Sequence, residues 1–285
     1  MDYQIIGDSC CDYTEEMKKN PVFVSIPLTL EVPGYSVVDD YSFDQTEFLK
    51  RVKASPTEPK TACPSPEAYA QAMEKSEAKE LYVVTLSEHL SGSYQSAMVG
   101  RQLFEEAHPD LMGKKIYVCG SDSASAGQCK LCLEIKEQKE QGRSFEEVVS
   151  YIEELRKKMQ TYFVLESLET LRKNGRLSAV QYLLVSALNI KPVMGADGGV
   201  IVKRDQQRGI HRALKKMVEI AVKRAGGAEN TKDMRAVITH VNCPDRAELV
   251  KQSLLALAPF RDIVITNAQG VATVYANDGG IVLAL

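Results

Sequence analysis

The sequence predicts an α/β protein of two lobes. The N-terminal lobe is expected to hold a mostly parallel sheet with helices on both faces, and the C-terminal lobe a mixed sheet with its own helices. Three observations predict this. Short apolar runs alternate with segments of helical periodicity along the chain. Runs such as "LYVVTL" (81–86) and "KIYVCGS" (115–121) lack the alternation of a half-exposed strand, as strands covered on both faces do. In the second half, "IKPVMGADGGVIVKRD" (190–205) reads as a hairpin turning at Asp197-Gly198-Gly199. A division near residues 150–160 gives domains 1–155 and 156–285.

The elements follow in order. "YQIIG" (3–7) is a short strand, and "VFVSIPLTLEV" (22–32) is one or two strands around Pro27. "SFDQTEFLKRVKAS" (42–55) is a helix with Ser42 as its expected N-cap. "SPEAYAQAMEKSEA" (65–78) starts a helix with Ser at the cap and Pro in the first turn. After "LYVVTL", residues 93–107 are helical. After "KIYVCGS", residues 125–142 are helical and close on glycine. Ser144-x-x-Glu147 is a capping box that opens the helix 144–159. In the second lobe "TYFVLES" (161–167) is a strand, and "LETLRKNG" and "AVQYLLVSALN" (179–189) are helical. A long amphipathic helix, 208–225, ends at Gly226-Gly227. "RAVITHV" is a strand and "PDRAELVKQSLLALA" a helix. "DIVIT" and "VATVYA" (271–276) are expected as the closing strands.

Composition removes several classes of function. A formal charge of −3 and a pI near 5.9 supply no basic field for nucleic acid. No stretch approaches the roughly 20 apolar residues of a membrane span, and the N-terminus lacks the features of a signal peptide. The expected location is the cytoplasm. Seven cysteines form no framework. Cys129 and Cys132 make one CxxC within a helix, with no second pair at zinc-ligand spacing, so both are expected in the core. No metal and no cofactor are expected.

The polar residues gather just past strand ends. Asp8-Ser9-Cys10-Cys11-Asp12 follows the first strand. Thr61 and Ser65 precede the helix at 65. Ser87, Ser91, Gly92 and Ser93 follow "LYVVTL", and Ser121-Asp122-Ser123-Ala124-Ser125 follows the next strand. Each hydroxyl alone can serve as a helix cap. Four such turns at one sheet edge predict a cup of hydroxyls and helix-terminal N–H groups that binds a carboxylate or phosphate. Few Lys or Arg lie in these turns, and neither GxxxxGK[ST] nor GxGxxG is present, which argues against nucleotides. A nucleophile elbow, G-x-S-x-G, also fails, because Gly92-Ser93-Tyr94-Gln95-Ser96 lacks the last glycine. His108 and His211 are expected at the surface and His89 in an exposed loop. His240 ends a strand and is expected to have a structural or ligand-orienting role.

Five motifs in order resemble the DegV family of bacterial lipid-binding proteins. They are "DSCCD" (8–12), "TACPSPEAY" (61–69), "LSGSYQSA" (90–97), "LRKNGRLS" (171–178) and "LNIKPVMGADGGVI" (188–201). The resemblance implies two α/β domains with one long-chain fatty acid in a tunnel between them. It implies no catalysis by the chain itself, but presentation of the carboxyl group to a separate fatty acid kinase that makes acyl phosphate. Carried over, Thr61, Ser91 and Ser93 would hold the carboxylate, and Arg176 matches a family arginine near the junction. Ser9, Ser123 and His240 are further residues expected nearby, and Arg176 and Arg204 are candidates for a partner face. The family histidine before G-P-G is replaced here: Tyr275 takes its place, followed by Ala276 and Asn277-Asp278-Gly279. A tyrosine can donate one hydrogen bond but has lost the imidazole's charge option. This departure bears on phosphotransfer more than on lipid binding. Each buried methylene contributes about 0.8 kcal/mol, so a long tail supplies most of the affinity. "VQYLLVSALNI" (180–190) is a candidate wall. The rival reading is a serine-dependent acyl hydrolase or transferase using Ser91 or Ser93, which requires a base within reach.

Overall fold

The computed structural model describes residues 1–111, 113–177 and 189–285. The chain opens with β1 (Tyr3–Asp8), a 3-10 turn at Ser9–Cys11, α1 (Glu15–Lys19) and β2 (Phe23–Ile26). An antiparallel hairpin follows, β3 (Thr29–Val32) and β4 (Tyr35–Val38), then α2 (Gln45–Ala54) and β5 (Lys60–Ala62), which pairs back on β3. Then come α3 (Pro66–Lys75), β6 (Glu80–Thr85), α4 (Ser93–Ala107), β7 (Lys115–Gly120), α5 (Ala126–Glu140) and α6 (Phe145–Lys158). The second half runs β8 (Thr161–Val164), α7 (Glu169–Lys173), β9 (Ile190–Asp197), β10 (Val200–Arg208), α8 (Ile210–Arg224) and α9 (Ala228–Thr231). It ends with β11 (Arg235–His240), α10 (Pro244–Leu257), β12 (Asp262–Asn267), α11 (Gly270–Ala276) and β13 (Ile281–Ala284).

These strands build three sheets. The first is parallel, in the order β2-β1-β6-β7, with Ile5 opposite both Phe23 and Tyr82. The second is the small β4-β3-β5 sheet. The third has the order β10-β9-β8-β13-β11-β12, antiparallel except for the β11–β12 pair. The expected contrast between a parallel first sheet and a mixed second one is present. Apolar strands explain the layering. Ile6, Leu81 and Val83 pack against Tyr69, Met73, Ala97 and Phe104 of α3 and α4 on one face. Ile5, Tyr82 and Val84 pack against α5 and α6 on the other.

α5 is buried on nearly every side, and Cys129, Leu131, Cys132 and Ile135 are wholly inaccessible. Its cluster also holds Val237 and Ala284 of the mixed sheet, so one helix serves both sheets. The CxxC pair therefore lies in the core, with the Cys132 sulfur 4.0 Å from that of Cys11.

Some local expectations are corrected. α2 is capped by Asp44, whose carboxylate accepts from the N–H of Glu47, while the Ser42 hydroxyl bonds to Asp40. "VATVYA" is helical: Asp39 from the first lobe accepts the N–H groups of Gly270 and Val271, and those bonds favour a helix start over a strand. The closing strand is instead "IVLA", between β8 and β11. The proposed wall at 180–190 lies outside the described residues except for its last two positions, of which Ile190 opens β9.

Candidate functional site: an apolar slot with a polar head

A cavity of about 850 Å3, its open mouth included, lies where the carboxyl-end turns of the parallel sheet face the mixed sheet. Its walls are mainly apolar: Leu28, Leu86 and Leu90 from the first lobe, Phe163, Leu165, Leu171, Ile201 and Val282 from the second. Among the described residues, the carboxylate and guanidinium groups that line it are Asp122 and Arg176. Asp122 is paired with Arg156 at 2.6 Å, so among the described lining residues Arg176 supplies the positive charge.

Thr61, Ser91, Arg176 and Tyr275 all line this cavity. Pairing of β5 with β3 sets Thr61 opposite Leu30, and α11 carries Tyr275 to it, with the two hydroxyls 3.0 Å apart. The Arg176 guanidinium stands 5.8 Å from the Tyr275 ring centroid. Its Nε donates to the Leu90 carbonyl at 3.0 Å and its Nη1 to the Asn174 carbonyl, which fixes the side chain in the wall of the slot. Ser91 accepts from the N–H of Ser93 at 3.2 Å, and among the described residues its own hydroxyl donates to none. Three hydroxyls and one guanidinium thus surround one end of an oily slot, a donor set suited to a carboxylate.

Ser93 is not part of the lining. It is wholly buried, donates to Asp8 at 2.6 Å and bonds the Tyr69 hydroxyl at 2.6 Å. Its position at the first turn of α4 turns the side chain under the loop. Asp8 also accepts from the N–H of Leu86 at 2.7 Å, from that of Cys10 and from the Gln128 amide. One buried carboxylate therefore grips both ends of the loop 86–93 that presents Ser91. Burial raises the Asp8 pKa, and its four donors oppose that rise.

The other expected residues divide. Ser123 lines the cavity, with its hydroxyl 2.6 Å from that of Thr161. Ser9 faces a small polar recess beside Asp8, Asp12 and Asp39, and its hydroxyl accepts from Leu28 N–H at 3.1 Å. His240 sits outside the slot, half-buried, accepting from Cys243 N–H at 3.3 Å, and burial lowers its pKa. Arg204 is tied to Asp197. His89 and His211 are exposed, and His108 pairs with Glu74. Asp39 was missed by the sequence reading. Its partners are 231 and 232 residues away, so nothing local to "VVDDYS" marks it. Thr161 was missed because it opens a strand rather than following one.

A family model described as "Uncharacterised protein, DegV family" matches residues 2–285. A DegV domain-containing protein of Streptococcus pneumoniae serotype 4 is 34% identical over 288 residues, covering 99% of this chain and 98% of that protein. Among solved structures, a DegV family protein from Ruminococcus gnavus, refined with vaccenic acid, is 38% identical with a TM-score of 0.91, covering 100% of this chain and 99% of that one. The Streptococcus pneumoniae Fatty Acid Kinase (Fak) B3 protein, loaded with linoleic acid, is 33% identical with a TM-score of 0.83 over 100% of this chain and 99% of that one. On the match across its whole length and on these relatives, the chain belongs to the DegV family.

Proposed function

We propose that this protein binds one long-chain fatty acid in the slot between its lobes, with the carboxylate held by Thr61, Ser91, Tyr275 and Arg176. The observation that carries this reading is the pairing of an apolar slot with a single cluster of donors at one end. The tail contributes about 0.8 kcal/mol per methylene buried. The head needs its hydrogen bonds replaced and its charge met, which Arg176 does. The relatives crystallised with vaccenic and linoleic acids support the ligand class. The likeness to Fak B3 supports presentation of the carboxyl group to a fatty acid kinase, with Tyr275 where the family's histidine would stand. The role is one of binding. Among the described residues neither Ser91 nor Ser93 hydrogen-bonds a histidine, and Ser93 is engaged by Asp8 and Tyr69.

Native mass spectrometry of protein purified from bacteria should show a stoichiometric adduct that organic extraction releases as a fatty acid. Thr61→Ala and Ser91→Ala should each lower retention roughly ten-fold, the loss of a hydrogen bond to a charged group. An apo spectrum that exogenous fatty acid leaves unchanged would refute the reading. Full retention in both variants would refute the head-group assignment.

A further inference from the structure

The head-group donors come from separate stretches of chain. Thr61 and Ser91 belong to the first lobe, Arg176 and Tyr275 to the second. A donor set shared between lobes recognises a carboxylate only if each member is held to within about half an ångström. One buried side chain connects three of those stretches. Thr170 lies in α7 and is cut off from water. Its hydroxyl donates to the Glu58 carboxylate at 2.6 Å and accepts from the Asn277 side-chain amide at 3.3 Å. Glu58 stands just before Thr61 in the chain, and Asn277 just after Tyr275.

The same helix leads to the guanidinium. The Asn174 N–H bonds back to the Thr170 carbonyl at 3.1 Å and the Arg176 N–H to the Leu171 carbonyl at 2.8 Å, around Gly175 at a φ of 77°. The Asn174 side chain donates to the Pro59 carbonyl at 2.8 Å, while its own carbonyl accepts from Arg176 Nη1. A valine has the shape of Thr170 but could make neither side-chain bond.

We propose that Thr170 is a positioning residue for carboxylate recognition. Through Glu58, Asn277 and the turn to Arg176 it holds Thr61, Tyr275 and Arg176 in one arrangement. This rests on the fatty-acid reading and adds to it the residue that sets the donors. Thr170 does not line the cavity, so its hydroxyl acts through the groups it holds. Its loss weakens the grip on the head of the ligand and leaves the burial of the tail unchanged. Discrimination between a carboxylate and a hydroxyl on the same tail reads that difference directly.

The test compares hexadecanoic acid with hexadecan-1-ol on delipidated protein, by displacement of a fluorescent fatty acid. The unmodified protein should prefer the acid. Thr170→Val should weaken the acid about five-fold, the factor given by one hydrogen bond of ordinary net strength, and leave the alcohol unchanged. Thr170→Ser keeps the hydroxyl and should keep the original preference. Asn277→Gly removes the other bond at a position whose φ of 56° suits glycine, and should lower the preference about two-fold. It carries the test should Thr170→Val fail to fold. An unchanged preference in both Thr170→Val and Asn277→Gly would overturn the inference and leave the fatty-acid reading intact. So would equal weakening of acid and alcohol, the mark of a merely structural role. Unmodified protein that binds neither compound, or both equally, would overturn the head-group reading and the inference with it.

Discussion

Asp12 and Asp39 meet the start of α11 from the first lobe, and both are cut off from water. Asp12 accepts from Gln269 N–H at 2.6 Å, and Asp39 accepts from Gly270 and Val271 at 2.7 and 3.0 Å. Burial pushes the Asp12 carboxyl up to about 8, held back by Ser125 and the Gln269 N–H. It pushes Asp39 up to about 6, held back by Ser9 and the N–H groups of α11. Both groups bind a proton more tightly folded than unfolded, so folding takes up protons across this range. Their contribution to stability is complete below the ordinary value of 3.8 and is lost as pH rises, through about 6 for Asp39 and about 8 for Asp12. The unfolding temperature should therefore fall between pH 5 and pH 8. An Asp12→Asn/Asp39→Asn variant, whose amide oxygens can still accept, should show a shallower fall. Parallel profiles for the two proteins would show that these carboxyls do not carry the slope.

At the scale of elements, α11 decides whether the head of the slot forms. It has seven residues, too few to be helical on propensity alone, and its stability comes from where it docks. Gly270 is required at its start: a Cβ there would meet Leu30 Cδ1 at 2.2 Å and Asp39 Oδ1 at 2.7 Å. Gly270→Ala should destabilise the protein by about 1–3 kcal/mol, the usual range for overpacking a filled core. It should also loosen lipid binding by displacing Tyr275. Denaturant melts with a lipid-displacement assay would show both effects, and an unchanged midpoint would contradict the tight packing. This helix also marks the limit of what could be read in advance. "VATVYA" has the β-branched, apolar look of a strand, and its helical state is set by Asp39 and Asp12, remote in sequence. Helices with their own caps, such as α3 behind Ser65-Pro66 and α6 behind its capping box, were legible because their start signals are local. The same contrast runs through the site. The resemblance pointed to Thr61, Ser91 and Tyr275, all of which line the cavity, while the engagement of Ser93 by Asp8 depends on an 85-residue separation that no local pattern reports.

For the whole molecule, the slot lies between two lobes that meet through α5, through the carboxylate grip on α11, and through side-chain bonds such as Thr170 to Glu58, Asn174 to the Pro59 carbonyl and Gln45 to the Ala268 carbonyl. The Ser87 hydroxyl and the carbonyl of Gly199 at the β9–β10 turn, 3.4 Å apart, add one more contact across the gap. Leu28 and Leu86 face Phe163 and Ile201 across the cavity, so an empty slot leaves apolar walls from both lobes without full packing. A tail that fills the slot packs against both walls at once, and its binding energy becomes folding energy for the pair. A ligand at a free concentration of about 100 times its Kd adds about 2.7 kcal/mol to the folded state. For a chain of this size each kcal/mol corresponds to roughly 2–4 °C. Delipidated protein should therefore melt about 5–10 °C below the loaded form, and titrating fatty acid back should restore the difference in a concentration-dependent way. The gain should shrink in Ser91→Ala, because weaker retention means less ligand bound at the same concentration. Equal melting temperatures for the delipidated and loaded forms would mean that the tail does not join the lobes, and would place the bound lipid outside this slot.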